Sequence, residues 1–136
     1  MKTLWIVSLM VILLGLPNAG LAAKDQNTVN LCALVINDDV RALKRAARKA
    51  KNKKAKLLAS IECSSNYLFQ GGGLLRLAIA RGSYHSGLYL IKSLNRRDLS
   101  KKDIDGMTPL QWGTYYYQDN AASEAIVRQL RQAINN

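Results

Sequence analysis

Cys32 and Cys63 are the only cysteines of the 136-residue chain, and His85 is its only histidine. Redox or metal chemistry would have to be assembled from these three residues and nine carboxylates, while Ser83, Tyr84 and Ser86 stand beside His85 as nucleophiles only by sequence adjacency. The spacing does not favour it. There is no Cys-x-x-Cys and no second histidine to complete a tetrahedral metal site. His85 lies in Arg81-Gly82-Ser83-Tyr84-His85-Ser86-Gly87, which reads as a turn between two helices. A catalytic histidine would also need a nucleophile and an orienting carboxylate brought to it. Asp103 and Asp105 belong to a turn, Asp38 and Asp39 to a helix cap, and Glu124 to the first turn of the last helix. None forms the spaced pair used in acid–base hydrolysis. Gly71-Gly72-Gly73 precedes a helix, as phosphate loops do, but Leu74-Leu75 follows where a Lys-Ser or Lys-Thr would be needed. The glycines read as a turn. The expectation is a non-enzymatic protein with no cofactor and no metal.

Residue types suited to binding are more prominent. Arg41, Lys44, Arg45, Arg48, Lys49, Lys51, Lys53, Lys54 and Lys56 place nine cations in sixteen positions with no acid among them. Like charges at neighbouring helix positions repel, so the strip reads as a docking surface for an acidic protein or an anionic envelope surface. The alternative is a solvated face whose lysine stems cover alanine-rich apolar surface. Nucleic acid is the less favoured partner, because no aromatic residue is interleaved in the strip for base stacking. The second candidate is the aromatic cluster Trp112, Tyr115, Tyr116 and Tyr117. Three consecutive helical positions cannot share one buried face. Trp112 and Tyr116, at i and i+4, are expected to pack inward, which leaves Tyr115 and Tyr117 as interface anchors.

These candidates must be positioned by a small helical domain. Lys2, the apolar run Leu4 to Leu16, Pro17 and the small residues Ala19-Gly20-Leu21-Ala22-Ala23 have the organisation of a secretory signal peptide cleaved after Ala22. Processing would take the formal net charge from +11 to +10, since Lys2 is the only charged residue removed. In an exported chain two cysteines read as one intramolecular disulfide, Cys32–Cys63. Closing a loop of that length would stabilise the fold by roughly 3–4 kcal/mol. Helical apolar spacing through Leu31, Leu34, Val35, Val40, Leu43, Ala47 and Ala50, interrupted at Asn37-Asp38-Asp39, predicts helices over 30–36 and 39–50. A further helical piece is expected around Ala55 to Ile61.

Asp103-Ile104-Asp105-Gly106-Met107-Thr108-Pro109-Leu110 resembles the opening of an ankyrin repeat, in which Asp-x-x-Gly-x-Thr-Pro-Leu forms a β-turn and then starts a helix. Gly106 would supply a positive φ, Thr108 the helix cap and Pro109 the first helical position. Gly71 to Ala78 lies over Gly106 to Gly113 at an offset of 35 residues, and Leu90 to Leu94 over Ile126 to Leu130 at an offset of 36. Ala42 to Ala46 is a weaker third copy. Gln111 departs from the family pattern, which usually has histidine there.

The resemblance implies an all-α fold, a short ankyrin-like stack of helix-turn-helix units pinned by one disulfide, over a single domain at 23–136. Leu110 is expected to be buried between units. The implied function is that of an exported protein–protein interaction module in the periplasm or secreted beyond it, whose specific form would be an immunity or inhibitor protein for an envelope-acting toxin or hydrolase. The competing reading is a basic envelope protein that binds anionic lipid or polysaccharide.

Overall fold

The computed structural model describes residues 31–65 and 70–136. The signal-peptide reading of residues 1–22 and the polar leader at 23–30 lie outside the described residues. Helices dominate the rest: α1 (residues 31–36), α2 (Val40–Arg48), a single 3₁₀ turn (Lys51–Lys53), α3 (Lys54–Ser60), α4 (Leu74–Arg81), α5 (Tyr84–Ser93), α6 (Arg96–Leu99), α7 (Pro109–Tyr116) and α8 (Ala121–Asn135). Two short strands, β1 (Glu62–Cys63) and β2 (Gly72–Gly73), pair antiparallel between α3 and α4.

The early helices form for the reasons their sequence gives. Leu31 and Val35 of α1, and Leu43 and Ala47 of α2, occupy the buried stripes, with the cations turned outward. The chain reverses at Asp38, whose φ of 51° is one that aspartate tolerates better than most side chains. Asp39 then caps α2 by accepting a hydrogen bond from Ala42 N at 2.9 Å. Cys32 of α1 is joined to Cys63 of β1 with their Cα atoms 5.9 Å apart, as the expected disulfide requires.

The glycine run has a different role from a simple turn. Gly72 and Gly73 form β2, and Gly72 has φ 129° with Arg76 Cδ and Asp103 Oδ2 only 2.9 and 3.0 Å from where a Cβ would sit. Any side chain there would collide with that pair and force an unfavourable backbone. Two-residue strands carry no alternating apolar pattern, so periodicity did not reveal them.

α4 is the centre of the core. Leu74, Leu75, Leu77, Ala78 and Ile79 are all buried, and so is Arg76. α5, α7, α8 and the strand pair pack around it, while α5 also packs on α8 and on α2. α4 and α7 start 35 residues apart and each is followed by a longer helix, α5 and α8 respectively. Equivalent helices of the two pairs touch, α4 with α7 and α5 with α8. Buried Ser123 at the start of α8 donates its hydroxyl to the Ile79 carbonyl near the end of α4.

Three local details of the 103–110 turn match the chemistry read from its sequence. Gly106 has φ 76°. Thr108 Oγ1 accepts from Gln111 N at 3.2 Å while Gln111 Oε1 accepts from Thr108 N at 3.0 Å, a reciprocal capping box. Pro109 opens α7. The expectation for Leu110 needs correction: it is half-buried, and the buried positions of α7 are Pro109, Trp112 and Gly113.

Candidate functional site

The cationic strip occupies α2, the 3₁₀ turn and α3, which pack as one layer with α5 behind them. Arg41, Lys44, Arg45, Arg48, Lys49, Lys51, Lys53 and Lys56 are exposed, and Lys54 is half-buried. Among the described residues the ion pairs of lysine or arginine involve only Arg76, so none of the nine is neutralised by a described carboxylate. The helices can place charges this way because Leu43, Ala47 and Leu58 hold the opposite face in the core.

The tertiary fold adds an aromatic ring that the strip's own sequence lacks. Half-buried Tyr89 of α5 lies between α2 and α3, with Lys44 Nζ 5.6 Å and Lys54 Nζ 5.9 Å from its ring centroid. Both ammonium groups sit at cation–π range. No aromatic is interleaved among these cations along the sequence; the ring arrives from a helix more than 30 positions downstream, where sequence spacing could not show it.

The aromatic cluster is arranged differently from its expectation. Trp112 is buried, as anticipated. Tyr117, however, packs onto Trp112 with ring centroids 5.0 Å apart and is half-buried, and burial pushes its phenol pKa up. Tyr116 is 47% exposed and stands edge-on to Tyr115, which is 71% exposed, at 4.7 Å. α7 ends at Tyr116, so Tyr117 leaves the helical path and packs on Trp112, while Tyr116 keeps its i, i+4 contact with Trp112 at 5.8 Å but stays exposed. The open pair is Tyr115–Tyr116.

Two charge clusters lie outside both surfaces and stitch the fold. The Arg76 guanidinium, 2% exposed, reaches Asp105 through two hydrogen bonds of 2.7 and 2.8 Å, donates to the Met107 carbonyl at 2.7 Å, and has Nε 2.8 Å from Asp103 Oδ2. It also lies 5.1 Å from the Trp112 ring centroid. This bidentate contact, helped by the Met107 N–H, holds the Asp105 carboxyl at a pKa of about 2. Burial, with the Asp103 charge added to it, pushes nearby Glu62 upward. Ile104, at the tip of the same turn, is fully exposed.

The second cluster is His85 with Asp38. Asp38 Oδ1 accepts from Ser86 N at 2.7 Å, and Oδ2 lies 2.9 Å from His85 Nδ1. Burial opposes ionisation of Asp38, but these hydrogen bonds outweigh it and leave the carboxyl below its usual range. Among the described residues Asp38 is the one hydrogen-bond partner of the His85 ring, so the pair fastens the α1–α2 turn to α5. No group of histidine, cysteine, aspartate and glutamate among the described residues could hold a metal ion, and no described helix is long and apolar enough to cross a membrane.

A further feature was not anticipated. Lys56 of α3, Arg97 of α6 and Lys101 just beyond it line one groove of about 660 Å³. The strip thus continues onto residues some forty positions away.

Comparisons with family models, with curated proteins and with solved structures gave no significant match.

Proposed function

We propose that the chain is an exported, non-enzymatic interaction module, built as a short ankyrin-like stack, that holds an acidic partner protein against the face formed by α2, the 3₁₀ turn and α3. Immunity to, or inhibition of, an envelope-acting toxin or hydrolase is the specific form we favour. The observation that carries this reading is the set of nine cations without carboxylate partners among the described residues, gathered around Tyr89. An unneutralised field of one sign speeds encounter with a surface of the opposite sign. Arginine and tyrosine are the side chains that most often anchor protein interfaces. The pairing of α4–α5 with α7–α8 supports a repeat architecture, in which each helix pair buries its face on the next. The Cys32–Cys63 bond fits an oxidising compartment.

Charge reversal at Arg45, Arg48 and Lys49 tests the reading. With the partner captured from an envelope extract, identified and then titrated in purified form, the triple variant should lose most of the affinity while its Tm stays within about 2 °C of the parent, since exposed charges contribute little individually to stability. Undiminished affinity would move the site off this face, and Tyr115→Ser with Tyr116→Ser would then test the aromatic pair in the same titration. The alternative, retention by anionic lipid or polysaccharide, predicts binding to the envelope extract after its proteins have been digested.

A further inference from the structure

We infer that the groove between α3 and α6 is a discrete site for a phosphate group, which borders the face assigned to a partner protein and shares Lys56 with it but does not depend on that assignment. Its cations come from two separated stretches of the chain: Lys56 from α3, and Arg97 of α6 with Lys101 four positions later. A solvated helix face needs no such convergence. Holding three like charges around one concavity is unfavourable until an anion enters. None of the three forms a close ion pair among the described residues, although Glu62 lies near enough to feel the Lys101 charge, and Asp98 is the only acid in the groove wall.

The neutral groups sort the ligand further. Asn95 Oδ1 already accepts from Asp98 N at 2.9 Å, which leaves the amide NH₂ of Asn95 as a donor. The Ser60 hydroxyl is spent on the Leu57 carbonyl at 2.8 Å, whereas the Ser100 hydroxyl makes no hydrogen bond among the described residues. The open donors are therefore a guanidinium fork, two ammonium groups, an amide NH₂ and a hydroxyl. A tetrahedral phosphate accepts from several directions at once and uses such a set better than a planar carboxylate. The groove, about 660 Å³ and open to solvent, leaves room for the alcohol or sugar of a phosphate ester beside the phosphate. A phospholipid head group and a soluble phosphate ester share this chemistry.

The test uses the full mature chain with its disulfide intact, isotopically labelled, titrated with inorganic phosphate. Saturable shifts should appear at Lys56, Asn95, Arg97 and Ser100. Arg97→Gln with Lys101→Gln should weaken binding at least tenfold, about 1.4 kcal/mol, while Arg128→Gln with Arg131→Gln, an equal loss of charge on α8, should change it less than about twofold. Equal weakening by the two double variants would overturn the site in favour of a diffuse field, as would shifts that never saturate. Phosphatidylcholine vesicles with and without phosphatidylglycerol separate the sources. Retention by the phosphatidylglycerol vesicles that inorganic phosphate displaces, and that the groove variant lacks, assigns a head group. Saturable phosphate binding without vesicle retention assigns a soluble ester. Because Arg45, Arg48 and Lys49 are untouched, loss of the groove leaves capture of an acidic partner intact.

Discussion

Asp38 caps a helix that begins nearly fifty positions after it. Its Oδ1 accepts from Ser86 N at 2.7 Å and its Oδ2 from His85 N at 3.3 Å, in the first turn of α5, where the ordinary cap residue Ser83 makes no side-chain hydrogen bond of its own. A local device for satisfying helix ends is here supplied from the α1–α2 turn, so one carboxylate couples two distant parts of the fold.

Asp38→Ala should therefore destabilise the protein by about 1–2 kcal/mol, the range for a lost helix cap. Asp38→Asn should recover part of that through its remaining carbonyl oxygen. His85→Ala should cost much less, because its ring is 70% exposed and the cap survives without it. Urea unfolding of the three variants checks this order. Equal losses for Asp38→Ala and His85→Ala would show that the contact with the His85 ring, not the cap, joins the α1–α2 turn to α5.

Acid should find the Arg76 clamp. The folded pKa of Asp105 is depressed to about 2, so its contribution is fully present above the unfolded value near 4 and is lost as pH falls from about 4 toward about 2. Asp38, shifted the same way, adds to the loss. The Tm difference between the parent chain and Asp105→Asn should be largest at neutral pH and close as pH approaches 2. A difference independent of pH would mean that the carboxylate's charge contributes nothing.

At Gly113 two rules give opposite signs. Alanine is the better helix former by about 1 kcal/mol, but a Cβ there would stand 2.7 Å from Val127 Cγ2 and 3.3 Å from two carbons of Ile79. Packing should win, making Gly113→Ala destabilising by about 1–3 kcal/mol. Adding Val127→Ala should recover part of the loss, and a double-mutant cycle in urea measures that coupling.

Reduction of Cys32–Cys63 should lower stability by roughly 3–4 kcal/mol in the chain-entropy account of a 31-residue separation. Comparing unfolding of the oxidised chain with Cys32→Ser/Cys63→Ser measures it. A loss below about 1 kcal/mol would indicate that the reduced unfolded chain already keeps this loop closed.

The sequence was readable where structure is local. The interval separating α4 from α7 showed as the 35-residue offset, and Thr108, Pro109 and Gly106 declared the start of α7 because caps and turns depend on neighbours. The mostly helical fold and the disulfide followed from spacing and cysteine count. What could not be read is what the fold brings together: Tyr89 between Lys44 and Lys54, Arg97 and Lys101 beside Lys56, Asp38 at α5. The exchange of roles between Tyr116 and Tyr117 turned on where α7 stops, and helix ends are the least sharply encoded part of a helix. Leu110 was misplaced because the buried stripe of α7 runs through Pro109, Trp112 and Gly113 instead.

The central position of α4 has a consequence for how the protein comes apart. In a long repeat array each unit leans only on its neighbours, so ends can fray while the middle persists. Here one eight-residue helix is wrapped by α5, α7, α8 and the strand pair, and none of these can leave without baring it to water. The chain should melt as a single cooperative block, and cutting it before α7 should yield an unfolded fragment and not a shorter stack.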